Sequence, residues 1–177
     1  MLTGGASTRM GRDKALLEID GTAMAVRVTN ALVDAGAAKV QCVGGDLASL
    51  RLLGLDAVPD VYDDAGPLAG VITGIESSDD PIIVVSPCDL VAPAALVFRA
   101  LVGALSSSDA TAAVPLIEGR RRPLPVAMRF DALASLRAAF ASGERALYRA
   151  FEQFELVAVD VGPIDDADTP EDLPGHR

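Results

Sequence analysis

Apolar residues along the chain fall into short blocks that alternate between helical and extended spacing. After Gly21-Thr22, the residues Ala25, Val28, Leu32 and Ala35 recur at three- and four-residue intervals up to Gly36, which predicts a helix opened by that Gly-Thr pair. A short strand is predicted over 39–43, ending at Gly44-Gly45, then a weak helix over 47–53 and a minimal strand over 57–59. The polar loop 63–67 leads into a helix over 68–77. The run Pro81-Ile82-Ile83-Val84-Val85-Ser86 is the clearest strand, and its unbroken apolar character predicts burial on both faces. Pro93 opens a helix to about Leu105. Blocks 112–116 and 125–129 flank the turn Glu118-Gly119-Arg120 and read as two paired strands. Helices over 131–141 and 145–151, a strand over 156–161 and a helical turn over 169–173 complete the pattern.

Repeated strand–helix units imply an α/β fold with a mostly parallel sheet in three layers, organised as a single domain over 1–177. Ligands of such sheets bind beyond the carboxyl ends of the strands. The first glycine loop is reached early, because Gly4-Gly5 follows only Met1-Leu2-Thr3. A buried strand of about five or six residues normally precedes such a loop. The expectation is a first strand truncated at the N-terminus, with the native chain starting upstream of Met1.

Composition narrows the classes. Half of the 177 residues are hydrophobic but only 4% are aromatic, with no Trp, which suits helices packed closely on a sheet. A formal charge of −10 argues against nucleic acid and anionic membrane as partners. Two cysteines, Cys42 and Cys88, make no disulfide framework and no metal-site spacing. No apolar run approaches the roughly 20 residues that cross a bilayer, and no basic-then-apolar leader is present, so the cytoplasm is expected. His176 is the one histidine, close to the end of the chain. Ser-His-Asp and Cys-His chemistry are therefore disfavoured, and reactions that rest on cations, metal and alignment remain.

Two segments carry such chemistry. Leu2-Thr3-Gly4-Gly5-Ala6-Ser7-Thr8-Arg9-Met10-Gly11-Arg12-Asp13-Lys14 places three glycines and the cations Arg9, Arg12 and Lys14 in one loop. Glycines let backbone N–H groups approach an anion, so the loop reads equally as a phosphate site or as a solvated surface loop. It is neither a Walker loop nor a dinucleotide fingerprint. Ser86-Pro87-Cys88-Asp89 follows the most apolar strand. Asp89 there can hold Mg²⁺ against a triphosphate, or simply start the turn that follows. Cys88 reads as a small buried filler.

Leu2-Thr3-Gly4-Gly5-x-Ser7-x-Arg9-Met10-Gly11-x-Asp13-Lys14 resembles the nucleotide loop of the molybdenum cofactor guanylyltransferases, the MobA family. Gly66-Pro67-Leu68-Ala69-Gly70, Pro87-Cys88-Asp89 and Thr169-Pro170-Glu171-Asp172-Leu173 resemble three further motifs in the family's order, and Gly143-Glu144-Arg145 is also similar. The resemblance runs from residue 2 to 173. It implies a Rossmann-like three-layer αβα sandwich, mostly parallel with one antiparallel strand, and transfer of GMP from GTP to the phosphate of molybdopterin with Mg²⁺ as cofactor. By matched position, Leu2, Thr3, Gly4, Gly5, Asp60 and Gly66 would meet the nucleotide. Arg9 and Lys14 would meet its phosphates, and Asp89 the metal. Transient contact with molybdoenzymes or other cofactor-synthesis proteins would follow.

Two positions depart from the pattern. Gly44 stands where the family carries an Asn. Asp166-Ala167-Asp168 replaces Asn-x-Asn and is similar to the related cytidylyltransferases. Asp166 and Asp168 fall on one side of an extended segment, where they would meet a cation or an acceptor donor, or form a solvated turn. Arg120-Arg121-Arg122 reads as a pterin-phosphate contact or as a hairpin tip. Gly4 and the Gly66-Pro67 loop look like the guanylyl forms, with Gly4 expected to leave room for a purine. The alternatives are a cytidylyltransferase or other small-molecule nucleotidyltransferase, and a nucleotide-binding protein without turnover.

Overall fold

The structure is a computed structural model that describes residues 1–4, 13–62 and 65–167. Gly5, Arg9, Arg12, Asp168, the 169–173 motif and His176 lie outside the described residues.

The first departure from the sequence pattern comes at Asp20-Gly21. Both residues carry positive φ, 53° and 74°, and they turn the chain between β1 (Glu18–Ile19) and β2 (Thr22–Ala23). Two consecutive positive φ values make a tight hairpin, for which Asp-Gly is a preferred pair. The helix α1 therefore begins later than expected, at Met24–Asp34, and buries Met24, Ala25, Val28, Ala31 and Leu32. Short parallel strands β3 (Gln41–Val43) and β4 (Asp56–Val58) follow, joined by α2 (Leu47–Leu52). Asp46 caps α2 by accepting hydrogen bonds from the N–H groups of Ala48 and Ser49.

The helix α3 (Pro67–Glu76) has Pro67 in its first turn, where a missing N–H costs nothing. After it come β5 (Ile82–Val85), α4 (Ala95–Ser106) and β6 (Ala112–Ile117). The turn at Glu118-Gly119 sends the chain into a two-residue arm, β7 (Arg120–Arg121), paired with the end of β6. The expected partner strand, β8 (Val126–Arg129), starts only after a return through a cis Leu124–Pro125 bond. α5 (Ala132–Ala141), α6 (Leu147–Ala150) and β9 (Leu156–Asp160) close the described chain.

Strand directions follow from the pairings. β8 is antiparallel to both β5 and β6, so β5 and β6 point the same way, and β9 runs parallel to β6. Leu2 bridges Val43 and Pro87, parallel to each, and so connects the β3–β4 pair to the β5 side. Apart from the β7 arm and the β1–β2 hairpin, β8 is the antiparallel member of a parallel sheet.

Helices cover both faces. Leu68, Val71, Ile72 and Ile75 of α3 pack with Leu133, Leu136, Leu147 and Phe151 on one side. Val28, Leu32, Leu50 and Phe98 form the other layer, extended by Leu101 and Leu105. One expectation fails: Ile82, Ile83 and Val84 are only half-buried, and within β5 only Val85 is fully covered. The reason is geometric. β8 covers one edge of β5, whereas the other edge opens onto a cleft between β5 and β3.

Candidate nucleotide site

The carboxyl ends of β3, β4 and β5 meet around Met1–Gly4. The N–H groups of Thr3 and Gly4 both donate to Val43 O at 3.0 Å, and Leu2 N–H donates to Ser86 O at 2.8 Å. The Thr3 hydroxyl turns inward, toward Val43 O at 3.1 Å and Gly44 O at 2.8 Å. Thr3 is buried, so its side chain shapes the loop from below.

Gly4 packs backbone to backbone against the turn after β3. A Cβ on Gly4 would lie 3.2 Å from Gly44 Cα, and one on Gly44 would lie 2.9 Å from Gly4 Cα. The space left by Gly4 is thus taken by Gly44 rather than held open for a purine. The same contact gives a reason for glycine at position 44, where a side chain would push the Gly4 backbone away. Gly45 is tighter still, with a φ of +78° and Thr3 O 2.7 Å from its absent Cβ.

Asp13 secures the far end of the loop. Its Oδ1 accepts from Ala15 N–H and its Oδ2 from Asp46 N–H, both at 3.0 Å. This carboxylate ties the short turn Lys14–Leu16 to the start of α2. Lys14 then reaches across to Asp89, with Nζ 3.2 Å from Oδ2 and each side chain about four-fifths buried. The two residues expected at the phosphates and the metal are brought into direct contact.

On the opposite side, Asp60 Oδ1 accepts from Thr73 Oγ1 at 2.8 Å and from Tyr62 N–H at 3.1 Å. Thr73, buried within α3, also accepts from Val61 N–H at 3.2 Å. Asp60 Oδ2 faces Gly70, whose absent Cβ would lie 3.6 Å from it and 3.1 Å from Leu2 Cδ2. Leu2, Asp60 and Gly70 therefore converge near the N-terminal half of α3, where N–H groups favour anions and hydrogen-bond acceptors. Gly66 leads into that helix with a φ of +84°.

Gly143-Glu144-Arg145 braces this corner. Glu144 Oε1 accepts from the N–H groups of Arg145 and Ala146 at 2.8 and 2.7 Å, which holds the Glu144 carboxyl below its ordinary pKa. The Arg145 guanidinium stacks over Phe140, 4.0 Å from the ring centre, and Arg145 O lies 3.4 Å from the absent Cβ of Gly66.

The chain end passes beside Asp89. Val91 N–H donates to Asp165 O and Ala167 N–H to Asp89 O, both at 2.9 Å, with Leu90 and Asp166 bridged antiparallel. Asp89, Asp166, Arg122 and Pro87 consequently line one cavity of 240 Å³. Asp89 and Asp166 bring two carboxylates, and Arg122 a guanidinium, to the lining of that cavity. Among the described residues, no cluster of three His, Cys, Asp or Glu side chains is assembled for a metal. Arg120 and Arg121 remain exposed on the β7 arm. Cys88 is buried and burial pushes its thiol up to about 12, so it supplies no nucleophile near neutral pH.

The structure thus gathers Leu2, Thr3, Gly4, Lys14, Asp60, Gly66, Asp89 and Asp166 around the carboxyl edge of the sheet. Of the three arginines 120–122 it brings Arg122 to the Asp89 cavity, and it adds Asp13, Gly45 and Thr73, to which the sequence reading gave no binding or positioning role. Asp13 carried a signal, since it stands two residues before Ala15 at a helical turn, where an Asp accepts backbone N–H groups. Thr73 and Gly45 carried none.

Residues 1–158 match the MobA-like NTP transferase domain family. A molybdenum cofactor guanylyltransferase of Cupriavidus metallidurans is 35% identical over 175 residues, covering 94% of this chain and 84% of that protein. Among solved structures, molybdopterin-guanine dinucleotide biosynthesis protein A from Archaeoglobus fulgidus has a TM-score of 0.75 at 18% identity, over 97% of this chain and 92% of that one. The inositol-1-phosphate CTP transferase from T. maritima has a TM-score of 0.74 at 16% identity, over 98% and 90%. The shared fold thus also carries a CTP-using transferase, and the fold alone does not choose the base.

Proposed function

This chain belongs to the MobA-like NTP transferase family, and on that premise we propose that it transfers GMP from GTP to the phosphate of molybdopterin, releasing pyrophosphate. The observation that carries the reading is the Lys14–Asp89 contact, set at the carboxyl end of the sheet. A cation for phosphate and a carboxylate for metal are thereby held side by side.

In the reaction, a phosphate oxygen of the acceptor bonds to the α-phosphorus of GTP, and the bond from that phosphorus to the bridging oxygen breaks. The electron pair leaves with pyrophosphate. A phosphate monoester has a second pKa of about 6, so it attacks without a protein base. That agrees with a site that pairs the charged groups of Lys14 and Asp89. Lys14, with Arg9, would hold the triphosphate. Gly4 and Gly5 would bring backbone against it, and Leu2, Asp60 and the Gly66 turn would receive the base. Arg122 and Asp166 would face the acceptor.

Asp89 fits a magnesium ion, which takes one or two carboxylates and completes its shell with phosphates and water. When bound, that ion would neutralise charge on the leaving pyrophosphate. The reading places the protein in the cytoplasm, in transient contact with molybdoenzymes or other cofactor-synthesis proteins. It includes neither nucleic acid nor membrane among the partners. Among the described residues, no helix is long and apolar enough to cross a membrane.

Asp166, seated in the same cavity as Asp89, favours a second reading, a molybdopterin cytidylyltransferase. The test is kcat/KM for GTP and for CTP with one molybdopterin acceptor and Mg²⁺. We expect GTP to be preferred at least about tenfold, within the 1–3 kcal/mol by which groups left unpaired penalise a wrong base. A preference for CTP would transfer the assignment to the cytidylyl reaction. Nucleotide binding without pyrophosphate release would overturn both.

A further inference from the structure

A cavity of 190 Å³ adjoins the Asp89 cavity, and Arg122 and Pro123 line both. Pockets that hold a whole drug-sized molecule run to about 300–1,000 Å³, so this one suits a ring system rather than a nucleotide. Strand register explains how the β7 arm faces it. Arg121 pairs with Leu116, two residues beyond Val114. Side chains two apart on a strand, or directly opposite across a pair, share a face of the sheet. Arg121 and Val114 accordingly line the same cavity, on the face where α6 packs.

The rest of the lining is aromatic and acidic. Phe151 is buried and Phe154 half-buried, with ring centres 5.7 Å apart. Tyr148 is 58% exposed, yet its ring is held in place. Its hydroxyl accepts from Arg149 Nε at 3.0 Å, and the Arg149 guanidinium lies 5.7 Å from the ring centre. Glu152 completes the lining, and its carboxylate makes no hydrogen bond to any described residue. Among the described residues, Arg120, Arg121 and Arg122 are likewise in no ion pair. In a chain of net charge −10, three consecutive arginines without carboxylate partners mark a place for an anion.

We propose that this cavity is the subsite for the fused heterocycle of the acceptor, a 2-amino-4-oxo pterin ring, with Arg122 meeting the acceptor's phosphate where the two cavities join. The inference rests on molybdopterin as the acceptor, and it is the same for a guanylyl and a cytidylyl donor. A flat π-system stacks on aromatic and guanidinium planes, which Tyr148, Phe154 and Arg121 supply. The amino group and the adjacent ring N–H of a pterin are neighbouring donors, and a carboxylate receives such a pair on its two oxygens. That is the role of Glu152. Guanine presents the same pair of donors, so the base of GTP is the competing occupant. Leu2, Asp60 and Gly70, which converge beside α3, do not line this cavity.

The test compares the wild type with Tyr148→Ala and Glu152→Gln, both at exposed positions where substitution leaves the fold intact. Binding is read from the fluorescence of 6-hydroxymethylpterin phosphate, and transfer from the KM for molybdopterin and the KM for GTP. We expect each variant to weaken pterin phosphate binding and raise the KM for molybdopterin by about tenfold, with the KM for GTP within about twofold. A matching rise in the KM for GTP would overturn the proposal and give the cavity to the guanine base. Absence of saturable pterin phosphate binding in the wild type would overturn it too. So would wild-type binding and an unchanged KM for molybdopterin in both variants, while the assigned reaction stood. Pterin phosphate binding that both variants lose, in a protein that transfers no nucleotide to molybdopterin, would support the subsite and sink the assigned reaction.

Discussion

Replacing Gly45 by Ala should destabilise the protein well beyond the conformational cost of the new residue, and Gly54→Ala measures that cost separately. The two glycines share nearly the same backbone, with φ of +78° and +79°. An L-residue held in this region costs about 1–2 kcal/mol. They differ in surroundings. Nothing lies within 4 Å of a Cβ at Gly54, whereas one at Gly45 would sit 2.7 Å from Thr3 O and 3.0 Å from Asp13 Oδ2. Neither neighbour yields easily. Thr3 O belongs to backbone held by the Thr3 N–H bond to Val43, and Asp13 Oδ2 is bound to Asp46 N–H. Forcing a methyl group into a packed site adds about 1–3 kcal/mol, so Gly45→Ala should cost about 2–5 kcal/mol in all. At ~2–4 °C per kcal/mol, the melting temperature should fall by about 4–20 °C, against about 2–8 °C for Gly54→Ala. Thermal unfolding followed by circular dichroism measures both. The folded Gly45→Ala protein should also show a raised KM for GTP, because Thr3–Gly4 must shift. Equal losses of melting temperature, with KM unchanged in both, would refute the close packing of the two loops as the reason for glycine at this position.

Three further outcomes are expected. Asp89→Asn should keep the fold, at a cost of about 1–2 kcal/mol for the part-exposed pair with Lys14, but lower kcat by roughly a thousandfold; activity within tenfold of wild type would remove Asp89 from the site. Lys14→Ala should reduce nucleotide turnover far more than stability, and a collapsed melting temperature with activity per folded molecule intact would contradict a phosphate role. Stability should fall as pH rises from 8 to 10, because the unfolded Cys88 thiol ionises from about its ordinary value of 9.0 while burial raises the folded one to about 12. The folded state then binds the extra proton, which costs on the order of 1 kcal/mol at pH 10. Urea midpoints should show this fall, with a shallower slope in Cys88→Ala; a midpoint that rises with pH in the wild type would contradict it.

The amino-acid sequence by itself determined the elements whose signals are local. Helix α1 was legible from Val28 and Leu32, α3 from the Gly66-Pro67 start, and β5 from four consecutive β-branched residues. Lys14 and Asp89 were legible because a charge next to a glycine loop or after an apolar strand stands out within a few residues. The antiparallel pairing of β6 with β8 was legible for the same reason, since a turn separates the two blocks. Tertiary structure alone decided which distant segments touch. That Gly4 lies on Gly44, that Asp13 holds Asp46, that Thr73 orients Asp60 and that Arg145 backs Gly66 are contacts between residues at least 13 positions apart. Periodicity cannot encode them. The half-exposure of β5 belongs to the same class, because an apolar run states that a strand should be covered but not which strand covers it. Burial follows from the whole sheet, and the lateral order of strands is set by packing in three dimensions rather than by any pattern along one of them.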